Sequence, residues 1–160
     1  MFAIIDNEDY DELSKFKWSA ARDSRNSIFY ATRTEIIDGK RKTVSMHRLV
    51  AKTPENKHTD HINGDGLDNR KSNLRICTVS QNGMNRTRSK RRMYSKYKGV
   101  SKCTKISNGK TYSYWQVRIG FDKKTIWVGE FDNEVEAAIA YNTAALKYHG
   151  NFANLNKIIE

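Results

Sequence analysis

An acid-free basic run in the middle of this 160-residue chain constrains its fold more than any other feature. Eight of the residues from Arg86 to Lys102 are Lys or Arg, and none is Asp or Glu. Such a run repels itself and is typical of a segment between domains. We therefore predict two small modules, residues 1–86 and 96–160, joined by a basic linker at residues 87–95.

The composition agrees with two small cores rather than one large core. Hydrophobic residues make up 38% of the chain, which is below the usual share of a globular protein. The formal net charge of +11 favours a polyanion as partner, and nucleic acid is the commonest one. A merely soluble basic protein remains the alternative at this point.

The first module starts as a small β-rich platform. Strands are predicted at residues 2–5, 17–20, 28–33 and 43–46, with polar turns between them and a short helix at 46–51. The acids that follow closely after Met1 are not typical of a signal peptide, and no apolar run has the length of a membrane span.

The segment from His58 to Thr78 predicts strand, loop, strand and helix. Its centre is rich in Gly, Asp and Asn and cannot form a regular element. A strand ends near Asp60-His61, another covers residues 74–77, and a helix follows from Val79 with Thr78 or Ser80 as its N-cap.

The second module predicts three strands followed by one helix. The strands cover residues 99–103, 114–120 and 125–130, and the middle one alternates apolar with polar side chains. Asn133 with Glu136 begins the helix and Gly150 ends it. The whole chain is therefore predicted as α+β, with a three-stranded antiparallel sheet packed on one helix in its second half.

Four polar residues of the first module form a candidate metal site. Asp60 and His61 lie at a strand end, Asn73 follows Asp60 by 13 positions, and Asn82 follows it by 22 on the predicted helix. A carboxylate and an amide oxygen, with positions left for water and phosphate, suit one magnesium or manganese ion.

This segment resembles the HNH endonuclease motif of homing endonucleases. The resemblance rests on D-H-I-N-G-D, N-L-R and S-Q-N-x-x-N, preceded by M-H-R-L at residues 46–49. It implies a ββα-metal fold with Asp60 and Asn82 as metal ligands, His61 as general base and Asn73 as the residue that braces the loop. Asn at the last position makes this the H-N-N variant, which favours one magnesium or manganese ion over zinc.

The second module resembles the APETALA2/ethylene-response-factor DNA-binding domain. Four blocks carry the likeness in order: Y-K-G-V, Y-W-Q-V-R-I, W-V-G-E-F and E-A-A-I-A-Y-N-T-A-A. The resemblance implies a sheet lying in the major groove of DNA. Base specificity cannot be transferred, because Ser101 and Gly120 stand where the family commonly has Arg. The predicted DNA-binding residues are Lys98, Lys102, Gln116, Arg118 and Trp127 on the polar face of the sheet, with Lys123 or Lys124 and Arg86 near phosphates.

Together, the two resemblances predict a sequence-directed endonuclease of the homing kind. It would hydrolyse phosphodiester bonds of double-stranded DNA as a monomer or homodimer. The resemblance further implies a phage-encoded protein acting in the host cytoplasm, without a membrane partner. The alternative is a non-catalytic DNA-binding regulator, and an RNA-binding protein is a third, weaker interpretation.

Overall fold

The computed structural model describes residues 1–24, 27–86 and 95–158. The chain divides into two compact units, Met1–Asn82 and Gly83–Glu160. Helices together with antiparallel sheets confirm the predicted α+β class. The predicted linker lies outside the described residues except for Ser95, so its bounds stay a prediction. None of the helices in the described ranges is both long and apolar enough to span a bilayer.

The first unit combines a three-stranded sheet, a two-stranded ribbon and three short helices. The sheet has the order β1-β2-β3, and β4 pairs with β5, all antiparallel. In chain order the elements are α1 (Tyr10–Leu13), β1 (Ser19–Arg22), β2 (Phe29–Ile37), β3 (Lys40–Ser45), α2 (Met46–Val50), β4 (His58–His61), β5 (Leu74–Cys77) and α3 (Val79–Met84).

Helix α2 is the centre of the small apolar core of this unit. Met46 and Val50, one helical turn apart, are both buried, and they cluster with Leu13 and Ala31. The intervening Arg48 donates hydrogen bonds to backbone carbonyls of the turn that leads into β4, including that of Lys57 at 2.9 Å. The segment M-H-R-L therefore joins the core to the start of the ribbon.

Strand β2 packs closely on the loop between β4 and β5. A Cβ atom on Gly66 would lie 2.7 Å from the Tyr30 ring and 2.4 Å from the carbonyl oxygen of Phe29. No other residue fits without displacing the backbone, so Gly66 lets the tyrosine ring lie against this loop.

The predicted strand at residues 2–5 is wrong. Only Ile4 makes a bridge, which is parallel and isolated, to Asp68. Its backbone N–H donates to the carbonyl of Leu67 at 2.8 Å, and its carbonyl accepts from the N–H of Asn69 at 2.7 Å. The apolar residues are present, but their partner is a loop, so the pairing cannot extend.

The second unit is a sheet covered by one long helix. Its elements are β6 (Val100–Ser107), β7 (Lys110–Phe121), β8 (Lys124–Phe131) and α4 (Glu134–His149), with strand order β6-β7-β8. Asn133 caps α4 through its side-chain oxygen, which accepts from the N–H groups of Val135 and Glu136.

Small side chains let α4 approach the sheet. Ala137, Ala138 and Ala145 are fully buried in a cluster with Val117 of β7. A Cβ atom on Gly99 would lie 2.1 Å from the Tyr141 ring, and its φ of 75° favours glycine. The core of this unit is therefore built from alanine, aliphatic and aromatic residues.

Strands β6 and β7 are longer than the sequence predicted. They continue as a hairpin to Asn108-Gly109, whose φ angles of 50° and 71° are those of a type I′ turn. The arms between residues 104 and 113 are largely polar and exposed on both faces, so their alternation is too weak to reveal a strand. The Asn108-Gly109 dipeptide was the sequence signal that indicates this hairpin.

Candidate nuclease centre and nucleic-acid interface

The ribbon of β4 and β5 places a buried carboxylate opposite a guanidinium. Asp60 is 5% exposed, and its cross-strand partner is Arg75. Nε and Nη2 of Arg75 donate to the same oxygen, Oδ2, at 2.7 and 2.6 Å. A buried carboxylate is costly without such compensation, so this pair supports the charge of Asp60 inside the unit.

His61 follows on the same strand and is also buried, at 6% exposed. Its ring contacts the His47 ring edge-on at a centroid distance of 5.1 Å, and the Tyr30 ring lies 5.7 Å away. Burial lowers the pKa of His61 and outweighs the Asn69 hydrogen bond and the charge of Asp60, which raise it. The imidazole is therefore neutral near pH 7, as a general base must be.

His47 forms the second ring of this cluster. Burial, followed by the charges of His61 and Arg48, lowers the pKa of His47 to about 4. Its Nδ1 atom is buried and has no hydrogen-bond partner among the described residues. The His47 ring is therefore neutral near pH 7 and lines the candidate site.

Asn73 holds the loop between the two strands through both ends of its amide. Its Nδ2 donates to the Asn63 side chain and to the carbonyl of Asp68 at 3.0 and 2.8 Å, and its Oδ1 accepts from the N–H of Asn63 at 3.0 Å. Asp68 is fixed in turn by Arg70, whose hydrogen bond and charge lower the pKa of the Asp68 carboxyl. These bonds give the loop a defined shape beside His61.

Asn82 lies in α3, directly after the ribbon. Thr78 caps this helix, because its Oγ1 accepts from the N–H of Gln81 while its own N–H donates to the Gln81 side chain. Both Asp60 and Asn82 act on the Cys77 thiol. Burial and then the Asp60 charge raise the pKa of Cys77, and the Asn82 backbone N–H lowers it. Asn82 thus lies in the helix that follows the ribbon carrying Asp60.

The donor set of Asp60 and Asn82 fits a hard divalent cation. It offers a carboxylate oxygen from Asp60 and an amide oxygen from Asn82, which are ligands that magnesium accepts while keeping several waters. Within the described ranges, no three His, Cys, Asp or Glu side chains converge as a metal-binding group.

The exposed face of the second unit carries some of the predicted DNA-binding residues. Gln116 pairs with Ser101 and Glu130, and Arg118 pairs with Trp127, on the side of the sheet opposite Val117. Arg118 is exposed and Trp127 is 59% exposed. This face can present a guanidinium, an amide and an indole to a partner.

Two of the predicted contacts lie elsewhere. Lys102 pairs with Trp115 and therefore lies on the side of the sheet that packs on α4, with its ammonium 5.7 Å from that ring. Lys98 precedes β6 and donates to the carbonyl of Met84 at 2.7 Å, and burial lowers its pKa to about 8. The placement of Lys102 on the polar face is wrong because strand parity puts it with Val100, which is core, and Lys98 lies before the first residue of β6.

The remaining predicted contacts are exposed but lie off the sheet. Lys123 lies in the turn between β7 and β8, with a φ of 58°, and Arg86 lies two residues after the end of α3. The sequence reasoning missed Tyr30, Arg75 and Asn69 as neighbours of the candidate centre. Asn69 lies between the D-H-I-N-G-D and N-L-R blocks and Arg75 lies within the N-L-R block, so both stand in the recognised segment. Nothing local pointed to Tyr30.

Comparisons with known proteins match the segment that carries the candidate nuclease centre. Residues 46–84 match the family model described as HNH endonuclease. An uncharacterized HNH endonuclease of Acanthamoeba polyphaga mimivirus is 29% identical over 163 residues, which cover 98% of this chain and 75% of the relative. A second one from the same virus is 51% identical over 53 residues, covering 29% of this chain and 13% of its own length.

Other relatives match the C-terminal half. APETALA2-like protein 2 of Oryza sativa subsp. indica is 41% identical over 66 residues, which cover 39% of this chain but only 13% of the plant protein. These similarities support a nuclease that binds DNA. They confirm both resemblances: residues 46–84 are similar to HNH endonucleases, and part of the chain is similar to APETALA2-like proteins.

Proposed function

We propose that this protein is a metal-dependent DNA endonuclease of the homing kind, which hydrolyses phosphodiester bonds at a recognised site in double-stranded DNA. The observation that carries the proposal is a buried, neutral imidazole, His61, beside a buried carboxylate, Asp60, inside the segment that matches HNH endonucleases. A neutral base next to an acidic oxygen ligand is what metal-assisted hydrolysis needs.

In this proposal each residue has one task. His61 takes a proton from the attacking water, and Asn73 keeps the loop in shape through its three hydrogen bonds. Asp60 and Asn82 hold one magnesium or manganese ion. When bound, the ion supplies positive charge to the phosphate and the leaving oxygen. Arg75 keeps the Asp60 carboxylate oriented through Oδ2.

DNA recognition is assigned to the second unit. The exposed sheet face with Gln116, Arg118 and Trp127 would meet the bases, while Lys123 and Arg86 would meet phosphates. The net charge of +11 would draw the protein to any duplex, so affinity should fall steeply with salt.

A plasmid-nicking assay tests the proposal. The wild type should nick DNA with magnesium or manganese and not with EDTA. His61→Ala should lower the cleavage rate by about 10²- to 10⁴-fold, the usual contribution of a general base, with DNA affinity unchanged. The matched control is His58→Ala, because His58 lies exposed on the same strand and should be dispensable.

Two outcomes would contradict the proposal. One is a wild type that binds duplex DNA tightly and cuts it with neither metal, which would favour the non-catalytic regulator. The other is a His61→Ala variant that cuts as fast as the wild type.

A further inference from the structure

Asn69 is a fully buried amide that faces the candidate general base. It lies in the loop between β4 and β5 and is 0% exposed. Its Oδ1 atom is 3.5 Å from Nε2 of His61, and its Nδ2 atom donates to the carbonyl of Leu67 at 3.0 Å. The motif reasoning gave this residue no role, although its side chain reaches the candidate base.

The orientation of the Asn69 amide follows from its other partner. If the amide were flipped, Oδ1 would face the Leu67 carbonyl oxygen, and two acceptors would meet in a buried place. The donor end is therefore fixed at Leu67, and the end that faces His61 can only accept. An acceptor beside Nε2 requires a proton on that nitrogen.

The backbone around Asn69 is held as firmly as its side chain. The N–H of Asn69 donates to the carbonyl of Ile4 at 2.7 Å, and the N–H of Ile4 donates to the same Leu67 carbonyl at 2.8 Å. The N-terminal segment thus fixes both the residue that carries the acceptor and the carbonyl that orients it.

The His61 ring is confined by other groups as well. The His47 ring meets it edge-on, with 76° between the planes, and the Tyr30 ring is tilted against it by 47°. With aromatic neighbours and the Asn69 amide packed around it, the imidazole has one favoured orientation. The direction of its two nitrogens is then set by the protein rather than by the substrate.

We propose that Asn69 is a positioning residue that selects the tautomer of His61, holding the proton on Nε2 and leaving Nδ1 as the basic atom. This inference rests on the proposed function in one respect only, namely that Nδ1 is the atom that takes the proton of the attacking water. A neutral amide does this without adding a second negative charge beside Asp60. Asn69 itself touches no reacting atom.

The tautomer is measured on the wild-type full chain, without any substitution. Protein carrying ¹⁵N-histidine is examined by long-range ¹H–¹⁵N correlation at pH 8, and the His61 signals are assigned with His61→Gln. The expected spectrum is a single Nε2–H form. An Nδ1–H form, or a mixture of the two in the wild type, would overturn the inference.

A variant then links the tautomer to catalysis. Asn69→Leu keeps the volume and removes the acceptor, so the His61 signals should change to a mixture of both forms. We expect kcat to fall with the fraction of His61 that leaves the Nε2–H form, about twofold for an even mixture, with KM for DNA unchanged. The same kcat in Asn69→Leu as in the wild type would contradict the role.

The matched control is Asn63→Ala. Asn63 lies in the same loop and bonds Asp68 and Asn73, but no bond to His61 is made by its side chain. Loosening of the loop alone should therefore leave the Nε2–H form in place. If Asn63→Ala produced the same mixture, loop rigidity and not the Asn69 acceptor would select the tautomer. Absence of cleavage by a wild type with the expected tautomer would reject the proposed function alone.

Discussion

The two units of this chain differ in how much of their buried interior is polar. Among its described residues, the first unit buries five apolar side chains and five polar ones, the polar ones being Asp60, His61, Asp68, Asn69 and Asn73. The second has nine buried apolar residues in one cluster and keeps its candidate DNA-binding side chains on the exposed sheet face. In the first unit the candidate site is part of the core, and in the second it is separate from the core.

This difference decides how substitutions should act. A buried polar group is tolerated only while its partners remain, so a change in the first unit affects folding and chemistry together. A change on the exposed face of the second unit should affect binding alone. The following experiments test that distinction. Each needs a measurement that reports on the two units individually, for example amide hydrogen exchange measured for single peptides.

The largest expected effect is on the stability of the first unit in Arg75→Met. The substitution leaves the Asp60 carboxylate buried without the guanidinium that binds its Oδ2 atom. Breaking a buried pair in this way typically costs about 3–5 kcal/mol. Urea unfolding followed by hydrogen exchange should show the loss in residues 1–82 and not in the second unit.

An exposed ion pair of the second unit supplies the control. Lys105 lies 3.8 Å from Glu130, with side chains 57% and 41% exposed. Lys105→Ala should therefore cost about 0–1 kcal/mol. Equal losses in the two variants would break the comparison between the units. Manganese should restore part of the lost stability in Arg75→Met if Asp60 binds the proposed ion.

The next effect is an acid-dependent loss of stability in the first unit. Because the pKa of His47 is lowered from 6.5 to about 4, the unfolded chain binds a proton at a pH where the folded unit does not. The stability is thus full above pH 6.5 and falls as the pH drops toward 4, by about 3 kcal/mol at most. Unfolding measured at pH 7.5, 6, 5 and 4 checks this.

The control for this pH window is His47→Phe, which keeps a ring and cannot be protonated. Its stability should be flatter between pH 6.5 and 4. The ion pair between Asp68 and Arg70 is lost only at lower pH. Because Arg70 lowers the pKa of the Asp68 carboxyl, the pair persists until the pH falls through that pKa. A pH profile of His47→Phe identical to that of the wild type would show that His47 is not the titrating group.

The sequence was informative wherever the signal was local. The pairing of β4 with β5, the capping of α3 by Thr78 and the long helix α4 were all readable from neighbouring residues. Asp60, His61 and Asn73 lie within one short hairpin, so their proximity followed from the chain itself. The physical reason is that turn and cap chemistry act over a few residues.

Contacts that depend on register or on distant segments were not readable. Arg75 meets Asp60 only because the ribbon has one particular register. Tyr30 reaches His61 from another sheet, across a space that only a glycine at 66 leaves open. Lys102 was placed on the wrong face because the run V-S-K-C-T-K does not alternate clearly, and a strand read one residue out of phase reverses every side chain.

The smallest expected effect is on DNA affinity. Its measurement tests whether the exposed face of the sheet in the second unit contacts DNA. Arg118→Ala should weaken binding of a duplex containing the target site by about 1–3 kcal/mol and leave the stability of the second unit unchanged. Lys102→Ala should weaken it less, since Lys102 lies with Trp115 on the helix-packed side. Fluorescence anisotropy with the His61→Ala background avoids cleavage during the titration. An equal loss in both variants would mean that the exposed face of the sheet is not the reading surface.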